Sequence, residues 1–66
     1  VFTPVPVDAH DLSLAMAETG RYVIEVPGTV NLDQLVIMLR RVASANENRA
    51  SFTRMGRSLF VEVTGP

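Results

Sequence analysis

Residues 20–45 read GRYVIEVPGTVNLDQLVIMLRRVASA, and the apolar period changes inside this stretch. Tyr22, Ile24 and Val26 alternate with Arg21, Val23 and Glu25, the period of two that a half-buried strand requires. Pro27-Gly28 closes the strand. Asn31 with Gln34 three residues on is the sequence form of a capping box, and Val30 with Leu35 supplies its hydrophobic staple. At about 100° per residue, Leu32, Leu35, Val36, Leu39, Val42 and Ala43 share one wide stripe, which predicts a helix from Leu32 to about Ala45. A strand feeding straight into an amphipathic helix sets the class as α+β.

On the N-terminal side, VFTPVPV (residues 1–7) reads as an edge strand or extended arm, because Pro4 and Pro6 cannot both contribute to a ladder. Asp8 is the expected N-cap of a first helix, with Val7 and Leu12 as its staple. Leu12, Ala15, Met16 and Thr19 form that helix's inner stripe, Ala9 lies at its margin, and Gly20 is expected just past its end. Val23 falls on the polar face of the following strand, which predicts partial cover over that face. On the C-terminal side, NENR ends the second helix, and ASFTRM and RSLFVEV form a hairpin around Gly56. The turn is centred on Met55-Gly56 or on Gly56-Arg57, and Gly56-Arg57, of type II′, is preferred. Phe52, Leu59, Val61 and Val63 then face inward, and Phe60 and Glu62 face outward.

The expected fold is a single small two-layer α+β domain over residues 1–66, in the order β(edge)-α-β-α-β-β. Two amphipathic helices cover one face of a mixed sheet of three or four strands. The strand–helix–strand unit should be parallel and right-handed.

Sixty-six residues allow one core, and a chain this short buries only about 60% of its unfolded surface. It has no cysteine, so neither disulfides nor thiolate-bound zinc can stabilise it. Such domains often gain burial from a partner or a second copy. The longest apolar run is Leu35–Leu39, too short for a membrane span or a signal-peptide core, so the expectation is a cytoplasmic protein without membrane contact. Every basic residue is arginine, which a GC-rich bacterial genome would produce and which also suits planar contacts to carboxylate or phosphate. The net charge of −1 is divided unevenly, at about −4 over residues 1–33 and +3 over residues 34–66.

Catalytic patterns are missing from the sequence. The lone histidine, His10, sits near Asp8 and Asp11, but residues one or two apart on a helix do not face each other. The serines have no base nearby in sequence, and the glycines stand singly. The expectation is a non-enzymatic, regulatory interaction module with no cofactor and no metal. It would act through self-association or a partner protein, with a homo-oligomer first among these. Ile37, off its helix's inner stripe like Leu14, together with Arg40, Arg41, Arg54, Arg57 and outward Phe60, forms the candidate contact set. The alternative is a small nucleic-acid-binding or transcription-regulating protein using the same arginines, with Phe60 as a stacking surface.

TPVPV at residues 3–7, leading into a helix, resembles the Cys-Pro-X-Pro motif of the TusA/SirA-like sulfur carriers, whose strand and helix order is also similar. Pro4, Val5 and Pro6 match, while Thr3 stands where the reactive cysteine belongs. A threonine hydroxyl cannot carry a persulfide. The resemblance therefore implies a related fold, in a cysteine-less relative without the sulfur-transfer activity.

Overall fold

A computed structural model describes residues 1–66. Its elements are β1 (Thr3–Pro4), α1 (Ala9–Ala17), β2 (Gly20–Glu25), α2 (Leu32–Ala45), β3 (Arg49–Met55) and β4 (Ser58–Thr64). The four strands make one mixed sheet in the order β1-β2-β4-β3, so the last strand in the chain is central. β1 runs parallel to β2, and β4 is antiparallel to both β2 and β3. Both helices lie on one face of this sheet, as the apolar pattern predicts. Between them sits a core of Leu12, Met16, Ile24, Leu39, Leu59, Val61 and their apolar neighbours, with no buried polar side chain.

α2 follows its sequence signals closely. The Asn31 side chain accepts a hydrogen bond from the Gln34 N–H at 3.1 Å, and every residue of the expected stripe is buried or half-buried. At the other end, Glu47 N–H donates to the Ser44 carbonyl and Asn48 N–H to the Ala43 carbonyl, both at 2.9 Å. These two bonds make a Schellman motif, with Glu47 rather than glycine in the left-handed position (φ 61°). Asn46 adds a side-chain bond to the Val42 carbonyl.

α1 is capped as expected by Asp8, which accepts from the Asp11 N–H, but it ends earlier than its stripe predicts. Helical geometry stops at Ala17, Glu18 is extended, and Thr19 is exposed rather than inward. Two side chains from beyond the helix, one near and one distant in sequence, satisfy carbonyls at this end. Asn48 Nδ2 donates to the Met16 carbonyl at 3.1 Å, and Tyr22 Oη donates to the Glu18 carbonyl at 2.9 Å. Gly20 accordingly opens β2 rather than following a helix end. Its φ is +153°, and a Cβ there would lie 3.2 Å from Tyr22 Oη.

The hairpin pairs Met55 with Ser58, leaving Gly56-Arg57 as the two-residue turn. Gly56 has φ +62° and Arg57 has no positive φ, the pattern of type II′. Phe52 faces the core opposite Val61, in the expected register. The face away from the helices carries a row across all four strands: Pro4, Val23, Phe60 and Thr53. Phe2 packs edge-on against Phe60 with ring centroids 5.1 Å apart, so the N-terminal arm supplies the partial cover predicted from Val23.

Candidate functional site

The six residues singled out in sequence do not form one surface. Ile37 and Arg41 lie on α2, along an 850 Å³ groove between the helices that Leu12, Val30 and Met38 also line. Arg40 lies on the neighbouring flank of α2, with its guanidinium 5.4 Å from the centroid of the Phe52 ring. Arg54, on the inner side of β3, reaches up to the α2 N-terminus and pairs with Asp33. Phe60 stands on the opposite face of the sheet, half-buried against Phe2.

Arg57 is held within the fold. Its Nε donates to the Val26 carbonyl at 3.0 Å, and its Nη2 donates to the carbonyls of Pro27 and of Val30, the latter at 2.8 Å. The turn arginine therefore ties the β2–α2 loop to the hairpin tip. Arg21 pairs with Glu62, its direct cross-strand neighbour, at 3.2 Å. Of the six arginines, Arg40, Arg41 and Arg49 have neither a carboxylate partner nor a side-chain hydrogen bond.

The two edges of the sheet differ in chemistry. Just past β1, Val5 N–H donates to the Val23 carbonyl at 2.9 Å, so alternate residues of the arm turn their backbone toward β2. Phe2, Pro4 and Pro6 point theirs outward, and two of those three have no N–H to offer. That edge is nearly closed to further pairing. β3 forms the other edge. Because Met55 and Ser58 close a two-residue turn, Met55, Thr53, Ser51 and Arg49 exchange bonds with β4. Ala50, Phe52 and Arg54 direct both N–H and C=O away from the sheet, and no other element covers them. Beside this edge, a smaller groove of 380 Å³ runs between β3 and the C-terminal half of α2. It is lined by Arg40, Ser44, Arg49, Ala50 and Ser51.

The site therefore combines three free backbone pairs with two uncommitted guanidinium groups. Sequence reasoning reached Arg40 for the contact set and counted Arg49 among the basic residues without placing it in that set, and it missed Ser44 and the backbone of Ala50, Phe52 and Arg54. One signal was available: Arg54 is an inward-pointing charge on a strand, a feature of sheet edges. Met38, 43% exposed beside Ile37, was also missed.

His10 is exposed at the start of α1, and no three His, Asp or Glu residues are grouped as a metal site. Thr3, the position matched to the sulfur carriers' cysteine, is exposed on β1. The Tyr22 phenol is shifted up from its ordinary value. Burial is the main cause, and the nearby Glu18 carboxylate adds to the effect. No helix is long and apolar enough to cross a membrane. No protein-family model matches this sequence, and no curated protein or solved structure matches it.

Proposed function

We propose that this chain is a non-catalytic interaction module that receives a segment of a partner protein at the free edge of β3. The observation that carries this reading is the contrast between the two sheet edges. Prolines remove donors from the outward side of β1, whereas β3 keeps three consecutive outward N–H and C=O pairs. An unprotected edge is a template for strand addition, which uses main-chain bonds for affinity and side-chain pockets for specificity.

A foreign partner suits this edge better than a second copy. Antiparallel pairing of β3 with itself would gather Arg40, Arg49 and Arg54 from both chains along one seam, and like charges at such a seam are unfavourable. Nucleic acid would meet few free cations, since Arg21, Arg54 and Arg57 already have partners within the chain. Phosphate contacts by Arg40, Arg41 and Arg49 alone would give weak, strongly salt-dependent binding.

The test is blockade of the edge. Ala50→Pro removes one outward N–H while leaving the bonds to β4, and N-methylation of Ala50 in a chemically synthesised chain removes the same donor without changing the side chain. Proteins captured from a lysate by the native chain should be lost with both forms, provided thermal melts show both forms folded. Equal capture by all three would overturn the reading.

A further inference from the structure

We infer that the segment received at β3 is acidic, with Asp or Glu side chains seated in the groove between β3 and α2. The inference rests on the edge-pairing reading above and adds the chemistry of the ligand. A strand laid along Ala50, Phe52 and Arg54 would run directly beside that groove, so its side chains on the helix side would project toward α2. There they would meet the Arg40 guanidinium over the Phe52 ring. Near the Ala50 end, Arg49 stands at the rim of the same groove, with the Ser44 hydroxyl between it and Arg40.

Arg40 and Arg49 are suited to this role because nothing in the chain neutralises them. The other edge-side arginine, Arg54, has Asp33. The Phe52 ring holds Arg40 by a cation–π contact, which orients the guanidinium but leaves its donors unused. A planar guanidinium with free donors takes a carboxylate bidentately, and beside a newly formed ladder such a contact is partly shielded from water. Basic or apolar segments would place like charge or no charge against the two arginines, so the groove selects among strands that the backbone alone would accept equally.

Peptide binding followed by amide chemical shifts tests this. The probes are a nine-residue peptide alternating Thr and Glu and its Thr and Gln counterpart, both acetylated and amidated so that carboxylates come only from side chains. A thymidine oligonucleotide serves as a phosphate probe. The acidic peptide should shift the amides of Ala50, Phe52 and Arg54 and bind roughly tenfold or more tightly than the Gln peptide. Arg40→Gln with Arg49→Gln should remove that preference, and Ala50→Pro should block both peptides.

Equal affinity for the two peptides, with both lost in Ala50→Pro, would overturn the acidic selectivity and leave edge pairing standing. Binding of the acidic peptide that survives Ala50→Pro would overturn strand addition itself. An oligonucleotide that binds the native chain and Ala50→Pro alike, and more tightly than the acidic peptide, would reassign the groove to phosphate and overturn the inference. No shift at the edge amides with either peptide would overturn both the inference and the reading beneath it.

Discussion

Arg57 and Tyr22 show how much of this small fold depends on single polar side chains meeting backbone carbonyls. The Arg57 fork serves three loop carbonyls, those of Val26, Pro27 and Val30, and shares only the Pro27 carbonyl with a backbone donor, the Val30 N–H. Arg57→Ala should therefore cost about 1–2 kcal/mol in urea denaturation. Arg57→Lys should restore only part of it, because one ammonium cannot span three acceptors as a planar fork does. Gly56-Arg57 was legible as a turn from its local glycine; the acceptors were not, since they lie 27 to 31 residues away. Tyr22 makes a pH prediction. Its folded-state phenol titrates above the ordinary value of about 10, so unfolded chains ionise first. Its contribution is complete below about pH 10 and is lost as pH rises through the folded-state value. Tyr22→Phe should flatten the alkaline fall in melting temperature while lowering stability at neutral pH through loss of the bond to Glu18.

At the scale of elements, helix starts were readable and helix ends only partly so. Asp8 and Asn31 cap through bonds to residues three positions on, a relation confined to one turn and therefore written in the local sequence. The end of α1 is met by Tyr22, four residues past Glu18, and by Asn48, which reaches Met16 from 32 residues away only after the sheet has assembled; its stripe therefore overran to Thr19. α2 ends in a motif whose left-handed position would favour glycine but holds Glu47. Glu47→Gly should stabilise the domain by roughly 0.5–1 kcal/mol, seen as a higher urea midpoint at unchanged slope. A lower midpoint would mean that the Glu47 side chain makes a contribution larger than the backbone strain it imposes.

For the molecule as a whole, the two sheet edges differ in what they offer to another chain. Pro4 and Pro6 marked one edge in the sequence. The identity of the other was written more faintly, in the contrast between Leu59, Val61 and Val63 on β4 and Ala50, Phe52 and Arg54 on β3. The first set is nearly free of solvent exposure, as a central strand demands, while the second includes a charge. The candidate set assembled from exposed cations and apolar residues dispersed over separate surfaces, because charge and hydropathy do not record which backbone groups remain unpaired. Pro4→Thr with Pro6→Thr should restore outward donors on β1 and permit its pairing with the β3 edge of a second copy. The variant should then self-associate with rising concentration by light scattering, while the native chain does not do so through this edge.

The position of β4 has a further consequence, for the order in which the fold is acquired. The strand that joins β2 to β3 is the last of the six elements, and three of its residues sit at the centre of the core. A nascent chain ending at Gly56 has both helices and three strands but no seam to connect them, and Leu39 and Ile24 lack the surface they pack on. Completion of the core is thus deferred until residues 58–64 can dock, so assembly should be a single late event that waits on the long-range pairing of β4 with β2. Loss of residues 58–64 would be far more damaging than loss of the proline arm.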